Sequence, residues 1–134
     1  ALRRGGRGDL TGTAAAWRNK KTYDMIPSPL LYKDVLYLVK SGGIVTSLDP
    51  STGEVLKTDR TKEAMGPYYS SPVAADDKVI FTSEAGKVTV VKAGRQWEIL
   101  TVNDLGEECY ATPAIAGGKI FIRTRGALYC FGKK

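Results

Sequence analysis

Histidine is absent from this 134-residue chain, and its absence removes a good deal of chemistry. Ser–His–Asp and Cys–His nucleophile systems need an imidazole to take and return a proton. Most catalytic zinc sites need one as a ligand. Cysteine is scarce as well. Cys109 and Cys130 are the only two, too few for a zinc site and without a spacing that speaks to redox compartment. No segment sustains a helical period, and Glu63–Met65 offers a single turn at most. No run of 18 apolar residues occurs, so no stretch reads as a membrane-spanning helix. Neither a P-loop nor a Gly-x-Gly-x-x-Gly fingerprint is present. The chain opens without Met and shows no leader, so it reads as a mature form or as a piece of something longer.

Acidic residues are nearly missing from one stretch. Residues 1–21 hold Arg3, Arg4, Arg7, Arg18, Lys20 and Lys21 against Asp9 alone. The remaining 113 residues hold 14 basic and 13 acidic side chains. The formal charge of +6 therefore sits on one arm. A nucleic-acid-binding domain spreads basic charge over a folded face, so the distribution argues against nucleic acid as a partner. Arg3-Arg4-Gly5-Gly6-Arg7-Gly8 keeps that reading as an alternative, because Arg-Gly segments bind RNA. The segment lacks interleaved aromatics, and residues 1–13 read as a Gly/Arg-rich loop or disordered arm. The tripeptide Arg7-Gly8-Asp9 is too short to carry an adhesion function.

What the chain does have is a repeat. Ser28-Pro29, Ser71-Pro72 and Thr112-Pro113 each open an apolar run, and the prolines stand 43 and 41 residues apart. Gly43, Gly86 and Gly126 follow them by 14, 14 and 13 residues. A period near 40 built of short strands marks a β-propeller blade. Proline suits the first residue of a strand because it lacks the amide needed in mid-sheet. In the first repeat the expected strands are Leu30–Tyr32, Val35–Val39, Ile44–Leu48 and Glu54–Lys57. In the second they are Val73–Ala75, Val79–Thr82, Val88–Val91 and Trp97–Val102. The third repeat supplies three: Tyr110–Ala116, Lys119–Thr124 and Ala127–Phe131. Tight turns such as Lys33-Asp34, Gly42-Gly43 and Asp76-Asp77 join them. The division is a 1–13 arm, an orphan outer strand at 14–20, blades at 27–58 and 70–102, and a three-stranded blade at 110–132. This strand order places Cys109 and Cys130 at opposite ends of their blade, too far apart for a disulfide.

The run Ser28-Pro29, apolar segment, turn, apolar segment, Gly43, apolar segment, Leu48-Asp49-Pro50-Ser51-Thr52-Gly53-Glu54-Val55-Leu56 resembles the PQQ-like, or quinoprotein-like, propeller repeat. The resemblance covers residues 26–132. It implies an all-β fold of four-stranded antiparallel blades forming an incomplete propeller. Quinoprotein dehydrogenases and BamB-like envelope lipoproteins share this repeat, so it implies a bacterial, periplasmic or cell-envelope protein. The family repeat sets a docking Trp after the last apolar residue of a blade. Here that position holds Lys57 in the first repeat and falls near Thr101 in the second. Trp17 then reads as the docking Trp of a preceding blade.

Two functional readings follow from the resemblance. One is a non-catalytic scaffold that binds a protein or peptide, with no cofactor, no metal and no catalytic residue of its own. The other is part of a quinoprotein dehydrogenase, which needs a cation beside the quinone, an Asp base, a Trp floor and a pair of adjacent cysteines. The chain has no Cys-Cys pair, and Asp49 in Asp-x-x-Thr-Gly reads as a turn former. Tyr68, Tyr69 and Tyr110 precede first strands, where they line a binding surface or pack between blades. Three blades cannot close a ring of four to eight, so the sequence leads us to expect self-association or further blades from a longer parent.

Overall fold

The computed structural model describes residues 1–19 and 25–132. The described residues hold eleven strands: β1 Leu30–Tyr32, β2 Val35–Lys40, β3 Ile44–Leu48, β4 Val55–Arg60, β5 Val73–Ala75, β6 Lys78–Thr82, β7 Lys87–Lys92, β8 Glu98–Asp104, β9 Ala114–Ala116, β10 Lys119–Arg123 and β11 Leu128–Gly132. They form three antiparallel sheets, β1-β2-β3-β4, β5-β6-β7-β8 and β9-β10-β11, each in chain order. The fold is thus all-β, with two four-stranded blades and one three-stranded blade, and the sheets do not close on each other.

Turn chemistry sets the register. Lys33 and Asp34 have φ of 49° and 56°, and Asp76 and Asp77 have 50° and 58°. Two left-handed residues in a row make the hairpin turn whose twist matches paired strands. Gly117 and Gly118 do the same in the third blade. The registers Tyr32↔Val35, Ala75↔Lys78 and Ala116↔Lys119 follow. Both complete blades carry an irregularity at one place, between Ser47 and Leu48 and between Val90 and Val91. It leaves Leu56 and Leu100 as the extra residues opposite those steps and makes Lys57 and Thr101 equivalent, as the repeat alignment has it.

Packing follows the alternation of faces, since residues directly opposite across a ladder share a face. Val35, Tyr37, Val39 and Val45 point forward from the first blade and meet Val79, Phe81, Val91 and Trp97 on the rear of the second. Tyr68 fills the same cluster. Every one of these side chains is at most 2% exposed, and at roughly 25 cal/mol per Å2 the cluster dominates the apolar burial. Between the second and third blades the cluster is smaller: Val88, Cys109 and Ile122, flanked by Ile80, Leu105 and Ile120.

Several expected boundaries move. The fourth strands run to Arg60 and Asp104 rather than to Lys57 and Val102. They lie on the rim, where Lys57–Arg60 and Thr101–Asp104 are mostly polar, so hydrogen bonding continues past the apolar pattern. The first strand of the third blade begins at Ala114, not Tyr110. Cys109 therefore belongs to the link before it. It is buried, its amide donates to the Glu84 carbonyl, and its thiol approaches the Arg123 carbonyl at 3.2 Å. Cys130 lies on β11 and is exposed, and both thiols are free.

The 1–13 arm and the 14–20 strand also read differently in three dimensions. Leu2 bridges Ala15 antiparallel, the Arg3 amide donates to Ala14 and the Ala16 amide to Ala1. The two segments form a small hairpin-like pair instead of a free arm beside a lone strand. The Leu10 carbonyl accepts from Thr13 and Ala14, closing its turn. Lys20, the last residue of the expected strand, lies outside the described residues.

Candidate functional site

Two hydrogen-bonded seams and one tyrosine-bearing face organise the surface. The innermost seam uses the residue before each repeat proline. The Ser28 amide donates to the Ser71 hydroxyl at 2.9 Å, and the Ser71 amide donates to the Thr112 hydroxyl at 3.0 Å. A proline follows each of these residues and offers no amide, so the residue before it makes the link to the next blade. The sequence shows Ser, Ser and Thr at this position three times. The hydroxyl type was the signal for the role, and only the proline had been read.

The outer seam is a dock. Trp17 donates its indole N–H to the Pro50 carbonyl at 2.7 Å. Its ring lies flat against Gly53, where a Cβ would overlap it. The expectation that Trp17 docks into the following blade is met, at the Asp49–Gly53 turn. One blade further on the arrangement is inverted. Lys57 stands where the Trp would be, and the ring comes from the receiving blade as Trp97. Lys57 Nζ donates to the Trp97 carbonyl at 2.8 Å and sits 4.5 Å from its ring centroid. Gln96 reaches back to the Leu56 carbonyl, and the Tyr37 hydroxyl accepts from the Gly94 amide at 2.7 Å. Burial raises the Tyr37 pKa.

On one face, the links between blades run across the β2–β3 and β6–β7 turns. Gly43 and Gly86 have positive φ, and a Cβ on Gly86 would strike the Glu107 carbonyl. Tyr68 is buried, its hydroxyl donating to the Ala64 carbonyl at 2.7 Å, so it is a packing residue. Tyr69 and Tyr110 are exposed at 38% and 51%, with ring centroids 5.3 Å apart. The Tyr110 hydroxyl donates to Glu84 Oε1 at 2.8 Å, and that bond to a carboxylate pushes its pKa up to about 12. The three tyrosines grouped in the sequence thus divide: one buried, two on the surface. Ile26, at the same repeat position as Tyr69 and Tyr110, is 69% exposed.

The acids serve turns. Asp49 Oδ1 accepts from the Ser51 and Thr52 amides, and its Oδ2 faces Arg95 at 3.1 Å. The Ser51 amide, first, and Arg95 hold its pKa below the usual carboxylate value. Glu107 accepts from the Thr124 hydroxyl and the Gly126 amide, with the same consequence. Asp9 accepts from the Thr11 hydroxyl and amide, so the acid of Arg7-Gly8-Asp9 closes its own loop. Between the second and third blades a cavity of about 410 Å3 is lined by Ile80, Val88, Val90, Leu105, Ile120 and Phe131, with Asp104 at its rim.

A family model described as outer membrane protein assembly factor BamB matches residues 9–134. The crystal structure of BamB from Moraxella catarrhalis superposes with a TM-score of 0.71 at 17% identity, over 88% of this chain and 36% of that one. A quinohemoprotein alcohol dehydrogenase from Pseudomonas putida superposes with a TM-score of 0.65 at 14% identity, over 82% of this chain and 20% of that one. The chain thus spans about a third of the length of the first and a fifth of the second. No curated protein sequence matches it.

Proposed function

The chain belongs to the BamB-like family of PQQ-type repeat proteins, and from that premise we propose that it is a non-catalytic binding module of the bacterial cell envelope. Its partners are proteins, held during assembly of the outer membrane. The observation that carries the reading is the use of the carboxylates. Asp49, Glu84, Asp104 and Glu107 each bond a turn amide, a hydroxyl or a cation within the blades. A quinone-dependent dehydrogenase needs a carboxylate poised to take a proton. These four are engaged in contacts within and between the blades instead. The exposed Tyr69–Tyr110 pair gives the module a contact surface, since aromatics offer large area at low entropic cost.

Calorimetric titration with extended peptides copied from outer-membrane barrel strands tests the reading. Saturable binding that falls at least tenfold in the Tyr69→Ser, Tyr110→Ser double variant is expected, and no binding at any strand sequence would sink it. The dehydrogenase reading rests on the second structural likeness. It makes a separate demand: PQQ with calcium must raise the melting temperature, because a ligand for the native state alone stabilises it. No rise is expected.

A further inference from the structure

We propose that Tyr69, Tyr110 and the carboxylate of Glu84 form a receptor for a cationic side chain, a lysine or an arginine, carried by the partner protein. The inference rests on the binding-module reading above and names the chemistry of what is bound. All three residues lie well inside the chain, on the face where the links cross the turns between second and third strands.

The first observation is the corner itself. Tyr69 and Tyr110 stand at the same position of successive repeats, with ring centroids 5.3 Å apart and planes tilted by 42°. Tyr69 has blades on either side of it and is still 38% exposed. The Tyr110 hydroxyl donates to Glu84 Oε1 at 2.8 Å. That bond holds a carboxylate of the second blade's turn at the edge of the ring pair. A cation gains from the face of an aromatic ring and from a carboxylate at once. The Tyr110 pKa of about 12, raised first by the bond to Glu84 and also by the charge of Glu108, marks the corner as negative.

The second observation is that this acid has no counter-ion. The carboxylates of Asp49, Asp76, Asp77, Asp104 and Glu108 each face a cation of the chain. Among the described residues the Glu84 side chain bonds Tyr110 alone, which leaves its second oxygen for a ligand.

The third observation comes from comparing the repeats. The Glu84 amide donates to the Pro67 carbonyl, and the Arg125 amide donates to the Glu108 carbonyl. Glu84 and Arg125 are therefore equivalent turn residues. The fold uses their backbone and not their side chains, since one is acidic and the other basic. In the first repeat Ser41 takes this place, and Ile26 takes the place of the tyrosines. Arg125 is held by Glu108 at 3.4 Å and not by Glu84. Packing of the blades thus leaves the acid and the two rings unexplained, and cation capture explains all three.

Titration followed through the ring resonances of Tyr69 and Tyr110 tests the proposal. The probes are a short acetylated and amidated peptide of Val and Thr with a single central Arg, and copies with Gln or Glu in its place. The Arg peptide should shift both rings saturably and bind about tenfold more tightly than the Gln peptide, with the Glu peptide weaker still. Glu84→Gln removes the charge and keeps an oxygen that accepts from Tyr110. It should bring the Arg peptide down to the level of the Gln peptide and leave the Gln peptide unchanged, a split that a structural role would not produce. Without any substitution, salt at about 1 M should erase the preference for Arg. Equal binding of the Arg and Gln peptides at low salt would overturn the proposal and leave the binding-module reading standing. So would a loss in Glu84→Gln shared equally by both peptides. Absence of binding by all three probes would overturn it as well, and barrel-strand peptides would then decide the binding-module reading separately.

Discussion

Gly86 shows how tightly single positions are set. Its φ is +75°, and an added Cβ would overlap the Glu107 carbonyl of the crossing link. Gly106 has a similar φ of +69° with open space around it. Gly106→Ala should cost about 1 kcal/mol from the left-handed backbone alone, and Gly86→Ala about 3 kcal/mol because link and turn must part. Urea midpoints at constant slope would show the difference. Titration provides a second residue-scale expectation. Asp49, Asp104 and Glu107 have pKa values held below normal, by the Ser51 amide, the Lys87 ammonium and the Thr124 hydroxyl respectively. Their stabilisation is complete above the unfolded values near 4 and is lost as pH falls through the lower folded ones. The melting temperature should therefore fall on acidification below about pH 4. Glu107→Gln should flatten that fall. At the other end, Tyr110 should ionise near 12, after ordinary tyrosines, and Glu84→Gln should bring it back toward 10. Absorbance at alkaline pH reads it directly. Asp49 was legible as a turn former from Asp-x-x-Thr-Gly alone. Its bond to Arg95 was not, because that bond crosses between blades 46 residues apart.

At the scale of the element, hairpins were the most legible part. Paired charged or glycine residues between short apolar runs located all three first turns, because two residues of positive φ admit few alternatives. Fourth strands were read short, since a rim strand needs no apolar alternation to keep its hydrogen bonds. The third first strand was begun too early, since Tyr110–Ala111 look strand-like in composition yet cross above the turn. Trp17 was recognisable as a docking residue only through the resemblance to the PQQ-like repeat, which sets a Trp after the last apolar residue of a blade. The Lys57–Trp97 inversion was out of reach, because it takes both partners in space to see that a ring can come from either side. Lys57→Ala should cost about 1–2 kcal/mol through loss of the carbonyl bond and the cation–π contact. Lys57→Met, which keeps the stem, should recover part of that loss in the same denaturation experiment.

For the whole molecule, burial is uneven, and the repeat could not reveal it. The periodicity treats the blades alike, whereas the first seam holds nine buried side chains and the second holds three. In an array of nearest-neighbour contacts, the less-supported unit opens first. Amide exchange should thus be slowest in β2, β3, β6 and β7 and fastest in β9–β11, with Trp97 fluorescence unchanged while the third blade opens. Exchange at a single rate throughout would mean that the three sheets open as one unit.

In each sheet the strands lie side by side in the order in which they are made. A pull on the two ends of a four-stranded meander, which lie at the same end of the sheet, loads its hydrogen bonds one rung at a time, in the manner of a zip. Sheets whose end strands lie parallel and are drawn past each other resist with many rungs at once. The two four-stranded blades therefore yield readily to tension along the backbone, whereas the three-stranded blade, with β9 and β11 parallel, is loaded in shear. In the four-stranded blades, a motor that draws a polypeptide from one end would meet the seams, not the sheets, as its resistance.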